Sequence, residues 1–211
     1  MVNDGGSSPE WIIHEDLEGP WSFTAKQAFH LIHGEALGSS LTDWKGLYTN
    51  VIKHLVPGGW VEVLEHDLAF YPRECKEEEM EGKWDAAREW QGLIDEAAKK
   101  FGKRINMGSK QKALMEEAGL AEVQEQIFKI PTKEWKDDPT TCENGKFYRF
   151  HWTEQLEGYS LRLFTKTLGW SKEDTDDLLK RVLQELALED LELYSKFYLI
   201  IGRKPKDAPR S

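Results

Sequence analysis

The sequence predicts an α/β fold built on a mostly parallel sheet. Two apolar, strand-like runs at residues 29–33 and 60–65 flank a helix-like stretch at residues 44–55. A third strand-like run, at residues 196–201, lies close to the end of the sequence. Strands that alternate with helices in this way are typical of an open sheet covered by helices. We find no stretch that reads as a domain linker, so residues 1–211 are expected to form a single domain.

The first helix is predicted from the spacing of its apolar residues. They recur at helical intervals and share one face: Trp44, Leu47, Tyr48, Val51 and Leu55. Ser40, followed three residues later by Asp43, resembles a capping box and is expected to start the helix. Pro57, Gly58 and Gly59 then interrupt the pattern, and a strand follows.

The rest of the chain is predicted to continue the alternation. We expect helices at residues 83–101, 110–118 and 153–168, strands at residues 11–13, 120–130 and 196–201, and irregular structure at residues 131–150. The helix at 83–101 carries the stripe Ala87, Trp90, Ile94, Ala97 and Phe101. Gly119 is expected to close one helix, and Gly169 to break the chain after another. Ser171 and Asp174 should cap a last amphipathic helix, whose apolar face is Leu179, Val182, Leu183, Leu186 and Leu193.

The composition excludes several classes of protein. The 211 residues include 24 aromatic side chains, nine of them Trp, and carry a net charge of −10. An acidic chain without a basic block is a poor candidate for binding nucleic acid or an anionic membrane. The longest apolar run, at residues 197–201, is too short to span a bilayer. Without a secretory signal, and with Cys75 and Cys142 interpreted as reduced thiols, the sequence predicts a cytoplasmic or nuclear protein.

Several catalytic motifs are absent from the sequence. No two glycines are spaced G-x-G, so the glycine-rich turn that holds dinucleotides and adenosyl cofactors is missing. The sequence has no phosphate loop and no nucleophile elbow. The six histidines show no metal-ligand spacing, and His30 and His33 should point to opposite faces of their strand. We therefore predict no metal site.

An ordered set of motifs resembles the LaeA-like methyltransferases of fungi, which are class I enzymes dependent on S-adenosylmethionine. The set covers nearly the whole chain and comprises residues 16–23, 29–33, 41–44, 55–62, 115–120, 131–135, 168–171 and 198–205. The segment Leu55-Val56-Pro57-Gly58-Gly59-Trp60-Val61-Glu62 is common to many class I methyltransferases, whereas the ordered set is much more specific. The resemblance implies a partial Rossmann-like sheet with helices on both faces. It also implies a C-terminal helical insertion before a final antiparallel strand.

The resemblance also assigns roles to three residues. Asp16 and Leu17 lie where such enzymes place an acidic residue and an apolar neighbour beside the adenine of S-adenosylmethionine. Asp16 would equally serve to close a turn before Gly19. His33 ends a strand, where open α/β sheets bind ligands, and is the catalytic candidate as a proton acceptor. The alternative for His33 is a buried histidine with a structural hydrogen bond.

The sequence also departs from the pattern of these enzymes. Family members carry about a third more protein before the point where this sequence starts, including the first strand and the glycine-rich turn. This chain has His30 where Asp is usual and Glu35 where Arg is usual. Without the first strand, the strand at 29–33 is expected to be an open edge that another chain covers, in a homodimer or a heteromer. The chain would otherwise be a fragment of a longer gene product, or its N-terminal residues would cover the edge.

These observations lead to one main functional hypothesis and one alternative. The chain is expected to be a methyltransferase-like protein of fungal secondary metabolism that does not methylate on its own. Its ligand would be a small, aromatic molecule in an apolar pocket. The candidate lining residues are Trp60, Phe70, Tyr71, Trp135, Phe147, Tyr148, Phe150, Trp152, Tyr159, Phe164 and Trp170. Most of the aromatic residues are nevertheless expected to be core. The alternative is an auxiliary protein: a partner subunit, a regulator, or a guide for a cyclisation or coupling step.

Overall fold

A five-stranded sheet organises the chain. The computed structural model describes residues 16–23, 28–38, 40–73, 82–135 and 138–208. The strands are β1 (Phe29–Glu35), β2 (Leu55–His66), β3 (Tyr71–Pro72), β4 (Ala121–Pro131) and β5 (Leu193–Arg203). The helices are α1 (Trp44–His54), α2 (Asp85–Lys100), α3 (Gln111–Glu117), α4 (Pro139–Arg162) and α5 (Lys172–Ala187). A short π-helical segment, Leu163–Leu168, extends α4.

The sheet is mixed and not mostly parallel as predicted: among the described strands one pair is parallel and three pairs are antiparallel. β1 and β2 are parallel and are joined through α1. The last strand, β5, lies between β2 and β4 and runs antiparallel to both of them. β3 pairs with the start of β5, on the same side of β5 as β2. The predicted α/β fold is confirmed, with a final antiparallel strand preceded by a helical insertion, here α4 and α5.

One core lies between the sheet and α1. The side chains of Trp44, Tyr48 and Val51 on α1 pack against Val63 of β2 and Ile200 of β5. The N-cap of α1 is Asp43, whose carboxylate accepts a hydrogen bond from the Gly46 N–H at 2.9 Å. Asp43 therefore replaces the predicted Ser40 as the cap, because its side chain reaches the first turn directly.

A second core joins the three long helices to the end of the sheet. It contains Trp90 of α2, Trp152 of α4, Val182 of α5 and Leu193 of β5. Leu193 was predicted to lie on the last helix but is the first residue of β5, because α5 ends at Ala187. Ser171 caps α5 as predicted, its hydroxyl accepting from the Asp174 N–H at 3.0 Å.

The prediction of irregular structure at residues 131–150 is wrong from residue 139 onward, because α4 begins at Pro139 and not near residue 153. Its aromatic side chains surround the helix, with Tyr148 and Trp152 buried and Phe147 and Phe150 exposed. A helix that is apolar on several faces has no one-sided stripe to reveal it in the sequence. Phe101 was also predicted to be buried on α2, but it is the C-cap residue and is 53% exposed.

The two faces of the sheet are covered unequally. α1 and α3 cover the face that carries Val63 and Ile200. On the opposite face, α4 packs beside Phe197 at one end of the sheet. At the β1 end, Leu31 is 57% exposed, and β1 pairs only with β2 in the described part of the chain. The predicted strand at 29–33 is therefore present as an edge strand, but it is not buried.

Three further expectations concern chemistry and location. The strand predicted at 11–13 and the predicted thiol of Cys75 lie outside the described residues, and Cys142 is a half-buried free thiol. Within the described ranges, no helix is long and apolar enough to cross a membrane. The same ranges hold no group of three or more side chains arranged to ligate a metal ion.

Candidate functional site

An aromatic cleft opens between α4 and the carboxyl ends of β1 and β2. Its volume is about 580 Å³, which is within the range of small-molecule sites. Open α/β sheets bind ligands at this edge. The lining residues are Glu35, Ala36, Leu64, His66, Phe128, Ile130, Asn144, Phe147, Tyr148, His151, Tyr159 and Phe197.

The register of the sheet brings the floor of this cleft together. Glu35 of β1 is paired with Leu64 of β2, and His66 of β2 is paired with Phe197 of β5. Phe128 of β4 is paired with the same Phe197 from the other side. Paired residues project from the same face of a sheet, so side chains from four strands form one continuous floor.

Planar side chains form the walls of the cleft. The His66 ring stacks on Phe197 with centroids 5.2 Å apart, and the His151 ring stacks on Tyr148 at 5.3 Å. Phe147 adds a ring that is 76% exposed. These rings pack on one another and present an apolar, aromatic wall to the cleft.

Both histidines of the cleft are held in the neutral form. Burial lowers the pKa of His66, His151 lowers it further, and Glu35 acts in the opposite direction. Burial also lowers the pKa of His151, whose Nε2 lies 3.2 Å from the Tyr159 hydroxyl. The Nε2 atom of His66 is buried and has no hydrogen-bond partner in the described part of the chain. A neutral imidazole carries one N–H donor and one nitrogen acceptor, so the cleft contains polar groups as well as apolar walls.

A buried carboxylate fixes the loop that borders the cleft. The backbone N–H groups of Leu37 and Gly38 donate to the Glu65 carboxylate at 2.7 and 3.1 Å. Burial raises the pKa of Glu65, while these two hydrogen bonds oppose the rise. Glu65 thereby holds the end of β1 against β2 and keeps Ala36 at the rim.

The catalytic candidate His33 lies on the same face of the sheet, next to the cleft. Its Nδ1 is 2.9 Å from Glu62 Oε1, and its Nε2 is 4.0 Å from Glu35 Oε2. The side chain is 46% exposed, so it is not the buried histidine of the alternative interpretation. The catalytic role of His33 stays a prediction.

The candidates Asp16 and Leu17 lie in an exposed turn. The Asp16 carboxylate accepts from the Glu18 N–H at 3.0 Å, and its carbonyl accepts from the Gly19 N–H at 3.1 Å. The Leu17 carbonyl accepts from the Trp21 indole N–H at 3.2 Å. These contacts are those of a turn, the alternative role for Asp16, and adenine binding by Asp16 and Leu17 stays a prediction. Within the described residues, no hydrogen bond or ion pair joins this turn to His33.

Glu18 joins this turn to the start of α1. Its carboxylate accepts from the Thr42 hydroxyl at 2.5 Å and from the backbone N–H groups of Thr42 and Asp43. These hydrogen bonds lower the pKa of Glu18 to about 2. The turn at residues 16–19 is therefore fastened beside the start of α1, while Trp21 stacks on His54 at the end of that helix.

Sequence reasoning missed His66 and His151 as site residues. His66 ends β2 in the same way that His33 lies near the end of β1, so the rule applied to His33 would have found it. His151 lies in the part of α4 before residue 153, which the sequence did not predict as helix. Of the aromatic residues proposed as pocket lining, Phe147, Tyr148 and Tyr159 line the cleft, whereas Phe70, Trp152 and Phe164 belong to the core.

Comparison with known proteins identifies fungal relatives. No family model matches the chain. Methyltransferase pytC of Aspergillus terreus is 29% identical over 203 residues, which are 93% of this chain and 61% of the relative. Secondary metabolism regulator laeA of Aspergillus fumigatus is 28% identical over 191 residues, which are 90% of this chain and 50% of the relative. The chain thus spans between half and two thirds of the length of these relatives, and the predicted resemblance to LaeA-like methyltransferases is confirmed.

A solved structure with a similar arrangement is phosphoethanolamine N-methyltransferase 2 of Haemonchus contortus, which was solved with phosphomonomethylethanolamine and S-adenosylhomocysteine. It is 13% identical, and the match covers 85% of this chain and 34% of that chain with a TM-score of 0.39. At this level of similarity, the fold assignment rests on the strand order of the chain itself.

Proposed function

We propose that the chain is a methyltransferase-like protein of fungal secondary metabolism that holds an aromatic acceptor and does not methylate on its own. The observation that carries this proposal is the aromatic cleft at the carboxyl ends of β1 and β2. It combines flat apolar walls with neutral histidines, which suits a small aromatic molecule with a polar substituent. The names of the fungal relatives support the assignment to secondary metabolism.

The residues present do not build a complete site for S-adenosylmethionine, the cofactor that the resemblance implies. The sequence has no G-x-G turn through which the backbone would approach the cofactor. The Asp16 carboxylate is engaged by a backbone N–H of its own turn, and Leu17 is half-exposed beside it. We therefore expect cofactor binding to need groups beyond this turn.

The open edge of β1 is the place where we propose that a second copy of the chain adds a strand. β1 has hydrogen-bonding partners on one side only among the described residues, and Leu31 exposes an apolar side chain there. Unpaired edges of this kind favour pairing with another strand. A heteromer with a complete methyltransferase is the alternative outcome, and sedimentation of the purified chain with and without such an enzyme distinguishes the two.

Two titrations of the full chain test the functional proposal. Isothermal titration with S-adenosylmethionine and S-adenosylhomocysteine should show no binding by the monomer. Micromolar binding by the monomer would contradict the proposal that methylation needs more than this chain. Titration with 2-naphthol, a flat aromatic alcohol, should show binding in the cleft.

The variants Phe147→Ala and Phe150→Ala locate the naphthol site. Both residues are exposed on α4, but only Phe147 lines the cleft. Loss of one aromatic contact of ~0.5–1.5 kcal/mol should weaken naphthol binding about two- to tenfold in Phe147→Ala, and Phe150→Ala should bind like the unmodified chain. Equal effects of the two substitutions, or no naphthol binding at all, would contradict an acceptor site in the cleft.

A further inference from the structure

The aromatic cleft carries charge of one sign only. Among the described residues that line it, Glu35 is the only acidic residue, and no Lys or Arg is present. His66 and His151 add no positive charge, because burial lowers the pKa of both imidazoles. The other lining side chains are apolar, aromatic or uncharged and polar. The cleft therefore presents one carboxylate to a ligand, without a cation beside it in the described lining.

The Glu35 carboxylate has hydrogen-bonding capacity to spare. Within the described ranges, the basic side chain closest to it is His33, whose Nε2 lies 4.0 Å from Oε2, too far for a hydrogen bond. His33 is instead engaged by Glu62, with 2.9 Å between Nδ1 and Oε1. A carboxylate has about four lone-pair sites for donors, and its side chain is 64% exposed. A bound ligand can therefore donate to Glu35.

The sheet places this carboxylate within reach of a ligand that packs on the aromatic end of the cleft. Glu35 of β1 is paired with Leu64 of β2, and His66 follows two residues later on the same face. The charge of Glu35 acts on the His66 imidazole, which stacks on Phe197 of the next strand. Two strand spacings and two residues separate Glu35 from Phe197, roughly 12 Å between Cα atoms. The glutamate side chain and an alkyl spacer on the ligand together cover this distance.

The walls of the cleft also favour a positively charged ligand. The faces of aromatic rings are negative, so they attract a cation and do not attract an anion. Phe147, Tyr148 and Tyr159 supply such rings. The chain as a whole carries a net charge of −10, which raises the concentration of cations near its surface. A carboxylate or phosphate would find no cationic partner among the described lining residues.

We propose that the cleft binds arylalkylamines in their ammonium form, and that Glu35 selects the ammonium group. The aryl ring packs against the stacked rings of His66 and Phe197, and the ammonium donates hydrogen bonds to the Glu35 carboxylate. An ammonium has donors only and an ionised carboxylate has acceptors only, so the two groups are complementary. The inference rests on the proposed function, since it names the chemical class of the aromatic molecule that the cleft holds.

Three probes with the same ring and similar length separate charge from aromatic packing. At neutral pH, 2-(2-naphthyl)ethylamine is a cation, 2-(2-naphthyl)ethanol is neutral and 2-naphthylacetate is an anion. Isothermal titration of the full chain with each probe measures the dissociation constants. The amine should bind ~5- to 30-fold more tightly than the acetate, with the alcohol between them. Added salt should reduce this preference, because Glu35 is exposed.

Two substitutions assign the preference to Glu35. Glu35→Gln should weaken amine binding ~2- to 5-fold and leave alcohol binding unchanged. Glu35→Lys should reverse the order, so that the acetate binds more tightly than the amine. Glu62→Gln is the matched control, because it removes one carboxylate from the same face of the sheet, outside the cleft. It should leave the order of the three probes unchanged.

The outcomes separate this inference from the proposed function. Equal affinities of the three probes, or an unchanged order in Glu35→Lys, would overturn the selection of ammonium groups and leave an aromatic site in place. An equal loss of preference in Glu62→Gln and Glu35→Gln would also overturn it, since the effect would then belong to the net charge of the chain. No binding of any naphthyl probe would overturn the aromatic site as well.

Discussion

Gly145 of α4 marks a close approach of the helix to the backbone at residues 133–134. A Cβ atom at this position would lie 2.3 Å from the Lys133 carbonyl oxygen and 2.8 Å from the Glu134 nitrogen. Ordinary contacts begin at 3.4 Å. The substitution Gly145→Ala therefore forces the helix and this backbone segment apart by about 1 Å, because neither atom is on a flexible side chain.

The magnitude follows from a comparison with Gly158 of the same helix. A Cβ atom at Gly158 would meet only Gln155 Oε1, at 3.8 Å. Ala is favoured over Gly by ~1 kcal/mol inside a helix, so Gly158→Ala should raise the free energy of unfolding by about this amount. Gly145→Ala gains the same propensity but adds overpacking of ~1–3 kcal/mol. The two variants should thus differ by ~1–3 kcal/mol.

Guanidinium unfolding, followed by tryptophan fluorescence, measures this difference. Thermal unfolding should show it as about 2–4 °C per kcal/mol for a chain of this length. Because α4 is a wall of the cleft, Gly145→Ala should also weaken 2-naphthol binding, and Gly158→Ala should not. Equal stability of the two alanine variants would refute the close approach on which the prediction depends.

Three other predictions concern the turn, the core and the edge. Glu18→Gln should lower the free energy of unfolding at neutral pH. The depressed pKa of Glu18 stabilises the folded state above pH 4.5. The difference in stability between the variant and the unmodified chain should therefore vanish as the pH falls to about 2. Denaturant titrations across this range would show a constant difference if the hydrogen bonds from Thr42 were unimportant. Tyr48→Phe removes the donor to Gln111 Oε1, at 2.6 Å, and should cost ~1–3 kcal/mol in urea unfolding; adding Gln111→Leu should restore part of the loss, and no recovery would contradict this origin. Leu31→Lys should reduce self-association in sedimentation velocity without loss of stability, and unchanged association would exclude the β1 edge as the interface.

The elements with one-sided apolar patterns could be predicted from the sequence. α1 and α2 bury a single stripe, as the spacing of Trp44, Tyr48, Trp90 and Ile94 indicates. The first half of α4 could not, because its aromatic residues serve the core, the cleft and the exposed surface at once. Residues with three different surroundings do not form one apolar stripe, so the helical periodicity of the sequence does not reveal them.

The candidate site was only partly accessible to sequence reasoning. His33 could be chosen because ligands bind at the carboxyl ends of strands, and it does lie beside the cleft. The partnership with Glu62 depends on the β1–β2 register, which a sequence does not specify. The cleft itself needs Phe128, Phe147 and Phe197 from three distant elements, and their convergence is a property of the tertiary structure.

The central position of β5 has a consequence for biosynthesis. β2 and β4 each pair with β5 and not with one another. The sheet therefore cannot close until residues 193–203 have left the ribosome, although β2 is complete by residue 66. Until then the nascent chain carries unpaired strand edges and the apolar faces of α1 and α2, the conditions in which chaperones are needed. We expect a chain that stops before Leu193 to be captured by chaperones or aggregated.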